Sequence, residues 1–235
     1  APRFDADASL QVWQNHQVGE LVGYSVSQES VDLNAYLYAE KRFLQQIAEV
    51  LELNADVQKW DVEAERLAKQ MQMQMYDPES GFFYDIRYSA TGSELMIDKG
   101  KGVEGWLPLW AGVASKAQAK IMVERHLTAN EFGSKIPFPT VSVDSPSFAA
   151  AQYWRGPVWL DQALFGLQGI ARYGYHNQAQ SLALQLVTEG EGIIGQSPIR
   201  ENYNPITGEG LHCTNFSWSA SVLLLIYDTW LKQSE

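Results

Sequence analysis

Apolar side chains recur at helical spacing in the segment that follows residue 54. One apolar stripe on an otherwise polar segment runs through Val57, Trp60, Ala64, Leu67, Ala68, Met71 and Met75. Positions three, four and seven apart fall on one face of an α-helix, so the pattern predicts an amphipathic helix with one buried face. The two methionines are expected to fill core space rather than to hold a cofactor.

Segments that are apolar on most faces alternate with such one-stripe segments along the chain. A helix that is apolar all round is buried, whereas a one-stripe helix covers it from outside. The pattern predicts about seven helices, at Val31–Leu51, Ala55–Met75, Trp106–Ser115, Lys116–Thr128, Gly156–Tyr173, His176–Thr188 and Phe216–Leu231.

Two concentric layers of helices account for this alternation. We therefore expect an all-α chain folded as an α/α toroid of the (α/α)6-barrel type, in which inner helices are packed by outer ones. A closed toroid of six hairpins needs twelve helices, so the chain would form only slightly more than half of the barrel. Phe82–Arg87 is predicted as a short strand or an extended loop.

The loops that lead into the inner helices carry the unusual residues. In a toroid they would meet around one mouth, and they are Gln28–Asp32, Lys101–Trp110, Tyr153–Trp159 and Glu201–Trp218. Long loops on a rigid scaffold are the usual place of a binding or catalytic site. Ser30 is predicted to cap the first helix.

Charge and composition narrow the range of partners. The 235-residue chain has a net charge of −11 and no run of Lys or Arg, which argues against nucleic acid. The apolar run Val222–Ile226 is too short to span a bilayer, so no membrane partner is expected. The single cysteine, Cys213, is expected to be inert, and the four histidines to have structural or surface roles.

The candidate chemistry centres on Glu201, near the C-terminal end of the chain. It lies in a turn-rich segment beside an arginine, an amide and a tyrosine, and an aromatic-serine cluster follows at Phe216–Ala220. Sugar-processing sites combine a carboxylate for proton transfer with aromatic faces and with polar groups for hydroxyls. The alternative is a surface turn before a buried helix. The second aromatic cluster, Tyr153–Trp159, shifts the balance towards a sugar site.

Taken together, these segments resemble glycoside hydrolase family 63, which includes processing α-glucosidase I and its bacterial relatives. The resemblance runs along nearly the whole chain, through Ser27–Ala35, Trp154–Trp159, Glu201–Pro205 and Phe216–Ala220. It implies that residues 1–235 are the C-terminal portion of an (α/α)6 catalytic barrel. It also implies inverting hydrolysis of α-glucosidic bonds in oligosaccharides.

Within this resemblance, Glu201 matches the general base, which would deprotonate the attacking water. The family's general acid is an Asp just before a Pro-Arg-Phe/Trp-Asp stretch. This chain begins with such a stretch, Ala1–Asp5, so the acid is expected upstream and the chain alone is expected to hydrolyse poorly. Glu104 is an internal alternative for the acid.

The substrate-binding candidates lie in the loops around the mouth. They are Gln28, Asp32, Glu104, Trp110, Trp154, Arg155, Trp159, Tyr203 and Trp218. Structural alternatives stay open, because Asp32 would favour a helix dipole and Trp159 would pack in the core. Some bacterial relatives bind calcium, for which Glu29 could supply one ligand. No loop offers further ligands, so neither a metal nor another cofactor is expected.

Three functions stay open from the sequence. An α-glucosidase-type hydrolase is the leading hypothesis, a non-catalytic carbohydrate-binding or assembly module is the second, and a helical-toroid lyase or phosphorylase is the third. The hydrolase hypothesis makes an oligosaccharide the expected substrate. An opened barrel also exposes inner-helix surface, so either an upstream segment or a second copy of the chain is expected to cover it. No signal peptide is visible, and the bacterial relatives favour a periplasmic or secreted location.

Overall fold

The computed structural model describes residues 10–232, and the Ala1–Asp5 segment from which the position of the acid was inferred lies outside them. Every predicted helix overlaps an observed one. The seven α-helices of the described residues are α1 (Val31–Val50), α2 (Asn54–Gln74), α3 (Leu107–Ala111), α4 (Lys116–His126), α5 (Leu160–Arg172), α6 (His176–Glu189) and α7 (Ser217–Ile226). A π-helix, Tyr227–Leu231, continues α7.

The expectation of an all-α chain is not confirmed, because short antiparallel strands occupy much of the long connections. Within residues 10–232 they are β1 (Val12–Gln17), β2 (Glu20–Val26), β3 (Gln28–Glu29), β4 (Tyr76–Asp77), β5 (Phe82–Phe83), β6 (Ile86–Ser89), β7 (Gly92–Leu95), β8 (Arg200–Tyr203) and β9 (Gly210–Thr214). They pair as β1-β2, β3-β6-β7, β4-β5 and β8-β9. The predicted extended segment Phe82–Arg87 forms β5 and the start of β6.

Short and long connections alternate between the helices. Short ones join α1 to α2, α3 to α4 and α5 to α6, at residues 51–53, 112–115 and 173–175. The short connections make α1–α2 and α5–α6 antiparallel hairpins whose helices pack on each other. Since α1 packs on α3, α3 on α5, and α5 on α7, these inner helices form a row. The segments at their starts are joined to each other, so the helices begin at the same end. The joining contacts are those of Val31 with Asp85, Lys99 with Glu104, Val103 with Thr140, Thr140 with Pro157, Val158 with Tyr203 and Glu201 with Ser219. The long connections therefore meet at that end, as the sequence pattern predicts.

The helices at the two ends of this row expose apolar side chains. On α1 they include Leu33, Leu37 and Ile47, and on α7 they include Leu224 and Leu225. Within the described residues, neither of these faces has a helix packed over it. No helix in this part of the chain is long and apolar enough to cross a membrane.

An aromatic cluster anchors the long connections on the helical layer. Trp106, just before α3, is fully buried and meets Phe82, Phe132 and Phe138 edge to face, with ring centroids 5.4–6.0 Å apart. Gly105 lies against Phe82 so closely that a Cβ would overlap the ring. This packing gives the mouth a rigid base.

The first turn of α1 is capped by a distant residue and not by Ser30. The Ser30 hydroxyl donates to the carboxylate of Asp32, and Ser30 makes no capping bond. Instead, Asp85 Oδ1 accepts a hydrogen bond from the Val31 N–H at 2.8 Å. Asp85 lies between β5 and β6, so the cap also ties α1 to the loops above it.

Candidate active site

The β8–β9 hairpin carries a bulge at Glu201. His212 and Cys213 of β9 together stand opposite Glu201, whereas the flanking residues pair one to one. A bulge sets two residues against one and redirects their side chains. His212 adopts a φ of +59°, an uncommon conformation for a residue other than glycine. The bulge therefore brings both of these side chains next to the carboxylate.

Both carboxylate oxygens of Glu201 accept hydrogen bonds. The Tyr153 hydroxyl donates to Oε1 at 3.0 Å, and the Cys213 N–H donates to Oε2 at 3.3 Å. Burial, which leaves Glu201 8% exposed, would raise its pKa. The hydrogen bonds from Tyr153 and Cys213 outweigh burial and hold the pKa of Glu201 below its usual value, with a smaller effect from nearby His212. Glu201 is thus ionised at neutral pH, the state that a general base requires.

Aromatic rings form a rim beside Glu201. Trp154 and Trp159 stack in parallel, with centroids 4.5 Å apart, and Tyr153 stands edge-on to both. Trp218 lies 6.2 Å from Trp159 and is half exposed. Three predicted aromatic candidates thus come together, and Tyr153 connects them to the carboxylate. Trp159 itself is buried and donates from Nε1 to the Tyr153 carbonyl at 3.2 Å, so it supports the rim from below.

Two further candidates, Arg155 and Tyr203, make hydrogen bonds that stabilise the loops of the site. Arg155 Nε donates to the Ser147 carbonyl at 3.2 Å, which fixes the loop that carries the rim. Tyr203 is fully buried, and its hydroxyl accepts a hydrogen bond from the Arg200 N–H at 3.1 Å. Its ring supports β8 and does not line the mouth.

Gln28 and Glu104 belong to a second polar cluster, centred on Asp85. Asp85 Oδ2 accepts hydrogen bonds from Gln28 Nε2 at 2.6 Å and from Lys99 Nζ at 2.9 Å. Lys99 Nζ also lies 3.8 Å from Glu104 Oε1. Burial, together with Glu104, raises the pKa of Asp85, against the opposing effect of Lys99.

The loop around Thr140 lies between the two clusters. Its carbonyl accepts a hydrogen bond from the Val103 N–H at 3.1 Å, next to Glu104. Its hydroxyl accepts from the Gly156 N–H at 2.9 Å, beside the aromatic rim. The Asp85 cluster and the Glu201 site therefore belong to the same end of the molecule.

Asp32 and Trp110 lie in the helical layer. The Asp32 carboxylate accepts a hydrogen bond from the Leu33 N–H at 2.7 Å, which matches the alternative of a helix-start residue. Trp110 packs edge-on against Tyr36 and Phe165, with centroids 5.7 and 4.9 Å away, between α1, α3 and α5. Neither side chain makes a contact with Glu201.

Glu29, the candidate calcium ligand, accepts a hydrogen bond from the Tyr88 hydroxyl at 2.6 Å. Among residues 10–232, no group of three or more His, Cys, Asp and Glu side chains is arranged to hold a metal ion. The described residues therefore offer Glu29 no partners for a metal site.

A model of the mannosylglycerate hydrolase MGH1-like glycoside hydrolase domain matches residues 4–219. The chain belongs to this glycoside hydrolase family. The mannosylglycerate hydrolase of Thermus thermophilus is 30% identical over 197 residues, which cover 83% of this chain and 44% of that protein. The chain therefore spans about half the length of this curated relative.

Solved structures agree with this membership. A family 63 mannosylglycerate hydrolase from Thermus thermophilus, in complex with glucose, superposes with a TM-score of 0.62 at 27% identity, covering 86% of this chain and 48% of that one. The neutral trehalase of Saccharomyces cerevisiae has a TM-score of 0.67 at 21% identity, covering 88% and 38%, and so shows the fold alone. Both are toroid-type enzymes, so membership of family 63 and the α/α toroid type are confirmed.

At this candidate site, sequence reasoning missed several neighbours of Glu201. Tyr153 opens the aromatic motif but was not among the candidates, and His212 and Cys213 were assigned to structural or inert roles. Their closeness to Glu201 depends on the bulge, which no local pattern indicates. Two residues of left-handed conformation, His212 and Tyr153, mark the site in the structure.

Proposed function

We propose that this chain carries the general-base side of an inverting glycoside hydrolase active site, with Glu201 as the base. The observation that carries the proposal is the Glu201 carboxylate itself. It is nearly buried, it is kept ionised by donors from Tyr153 and Cys213, and it lies beside a rim of tryptophans. Membership of a glycoside hydrolase family supports the same assignment.

The geometry suits activation of a water molecule. A carboxylate has about four lone-pair sites, and Glu201 uses three of them for the Tyr153 hydroxyl, the Cys213 N–H and the Cys213 thiol, so a water can still donate to it. Glu201 would take the proton while the water oxygen attacks the anomeric carbon opposite the leaving group. The exposed face of Trp218 would hold the apolar face of the sugar ring.

The general acid is proposed to lie outside residues 10–232. An inverting pair stands about 6.5–9.5 Å apart, and the acid must keep its proton near neutral pH. Glu104 is buried and lies 3.8 Å from Lys99 Nζ, within the cluster that ties the loops together. Asp85 has a raised pKa, but its oxygens already serve Val31, Gln28 and Lys99. Both carboxylates are therefore better suited to structure than to proton donation.

We propose that a segment outside residues 10–232 also covers the exposed apolar faces of α1 and α7. Under this hypothesis, residues 1–235 are the C-terminal portion of the catalytic toroid, and the preceding portion packs on both ends of the row. The longer chains of the relatives support this hypothesis. Analytical ultracentrifugation of the isolated 235-residue chain would show association that the complete protein lacks. A monomeric chain that binds no exposed-surface dye would contradict it.

The proposed substrate is a small α-linked glycoside. Mannosylglycerate is the first candidate, because the Thermus relative is a mannosylglycerate hydrolase, and α-glucosides are the second through family 63. The test is proton NMR of the sugar released when the complete protein is mixed with mannosylglycerate, trehalose or 4-nitrophenyl α-glucoside. With mannosylglycerate and the nitrophenyl glucoside, we expect the β-anomer of the released sugar to appear first; with trehalose, we expect β- and α-glucose in equal amounts, because the leaving glucose keeps its α configuration. An α-anomer as the first product from mannosylglycerate or the nitrophenyl glucoside would refute inversion, and sugar binding without hydrolysis would favour a non-catalytic module.

A further inference from the structure

His212 holds a fixed orientation beside Glu201. Its Nδ1 donates a hydrogen bond to Asn202 Oδ1 at 2.8 Å, and Asn202 is fully buried. The ring also stands edge-on to Tyr153, at 5.2 Å between centroids. The bulge fixes the backbone of His212, and the hydrogen bond to the buried Asn202 amide fixes its ring, so the side chain has one orientation although it is exposed to solvent.

The other ring nitrogen of His212 is available to a ligand. Nε2 makes no hydrogen bond within residues 10–232, and the residue is exposed. With Nδ1 donating to Asn202, the neutral ring carries its lone pair on Nε2. A fixed acceptor on an exposed ring beside the carboxylate is an arrangement that can recognise a hydroxyl.

The distances favour a sugar hydroxyl as the partner. A water activated by Glu201 would lie about 3 Å from the carboxylate and about 3–3.5 Å from the carbon that it attacks. The ring hydroxyls next to that carbon then lie within reach of the residues that surround Glu201. His212 is one of these residues, because it stands opposite Glu201 across the bulge and packs on Tyr153, whose hydroxyl donates to Glu201.

We propose that His212 is a specificity-determining residue whose Nε2 accepts a hydrogen bond from a ring hydroxyl of the sugar held beside Glu201. This inference rests on the proposed hydrolase function, since it places the sugar by the base. It predicts that the two nitrogens of the ring have separate roles: Nδ1 positions the side chain, and Nε2 contacts the substrate.

Two substitutions separate these roles. His212→Asn places an amide near Nδ1 and can keep the bond to Asn202, but it has no atom at the position of Nε2. His212→Gln places an amide near Nε2 and gives up the bond to Asn202. His16→Asn, on the exposed β1 strand, is the matched control.

The measurement is the affinity of the complete protein for D-mannose and D-glucose. It is obtained from the protection of Cys213 against iodoacetamide, with peptide mapping of the labelled site. Loss of one hydrogen bond between neutral groups weakens binding about 3- to 10-fold. We expect this loss of affinity in His212→Asn and no loss in His16→Asn. In His212→Gln, we expect at least half of the loss, measured as the logarithm of the affinity, to be recovered. The melting temperature of each variant is measured alongside.

The opposite order would overturn the inference. If His212→Gln lost affinity while His212→Asn kept it, His212 would act only through Asn202; if both bound as the wild type, His212 would not contact the sugar. Turnover by Glu201→Gln tests the hydrolase proposal separately. Normal turnover there would refute the base, whereas normal binding by His212→Asn refutes only the role of His212.

Discussion

Replacing Lys99 with methionine tests the buried charge cluster that supports the mouth. Lys99 Nζ lies 2.9 Å from Asp85 Oδ2, and the two side chains are only 8% and 3% exposed. Methionine keeps an unbranched stem of similar length but has no charge and no donor. The change therefore leaves Asp85 buried without its charged partner.

The structure sets the expected magnitude. Removal of one partner from a buried ion pair costs about 3–5 kcal/mol. Asp85 keeps hydrogen bonds from the Val31 N–H and from Gln28, which offset part of the loss. We therefore expect a cost of about 3 kcal/mol, at the lower end of that range. For a chain of this size, this corresponds to a melting temperature lower by about 6–12 °C.

Urea and thermal unfolding at pH 7 measure this loss, with Lys120→Met as the matched control. Lys120 pairs with Glu124 on the surface of α4, at 3.8 Å, with side chains 64% and 58% exposed. Such a pair contributes about 0.3–0.5 kcal/mol, so the control should remain close to the wild type. Adding Asp85→Asn to Lys99→Met should recover part of the loss, because the carboxylate that lay closest to Lys99 is then no longer buried as a charge.

The pH dependence provides an independent check. Burial already raises the pKa of Asp85, and removal of Lys99 raises it further. The folded variant then binds more protons than the unfolded chain as the pH falls, so its stability rises relative to the wild type. The deficit should shrink between about pH 7 and pH 5. A Lys99→Met variant as stable as Lys120→Met, or a deficit that grows in acid, would refute the argument.

Two further predictions concern carboxylates with a lowered pKa. Tyr153→Phe removes the donor to Glu201, so the pKa of Glu201 should rise and the acid limb of the kcat/KM profile should move to higher pH; an unmoved limb would contradict this. Burial raises the pKa of Glu131, but hydrogen bonds from His126 and Lys101 outweigh burial and lower this pKa overall. The ionised Glu131 therefore stabilises the fold at neutral pH, and this stabilisation is lost as the pH falls through the lowered pKa. Glu131→Gln should therefore be less stable than the wild type at pH 7, and the difference in unfolding free energy should narrow below about pH 4. A difference that does not depend on pH would count against this pairing.

The helices could be predicted from the sequence because their burial follows a regular period. Each inner and outer helix carries its own apolar pattern, and the short connections fix the pairing. The β1–β2 hairpin could not be predicted in this way, because both of its faces are exposed and it has no alternation of buried and exposed positions.

The candidate site was predicted in part, through residue types that suit sugar chemistry. Motif and loop position grouped Glu201, Trp154 and Trp218 at one mouth. In the structure, the stacked Trp154 and Trp159 rings connect Trp218 with Tyr153, which donates to Glu201. Residue type alone does not give exposure, which is why Tyr203 was expected at the mouth although it is buried beneath it. The link between Asp85 and Gln28 joins residues far apart in the chain, and only the folded structure brings them together.

The direct test of the central claim is the turnover of Glu201→Gln in the complete protein. Glutamine keeps the shape of the side chain but cannot take a proton from water. A good leaving group removes the need for a general acid but not for a base, so α-glycosyl fluorides isolate the role of Glu201. We expect Glu201→Gln to lose about 10²–10⁴-fold in turnover of both α-mannosyl and α-glucosyl fluoride and to retain its affinity for sugar. Near-normal turnover of either fluoride would contradict the assignment of Glu201 as the general base.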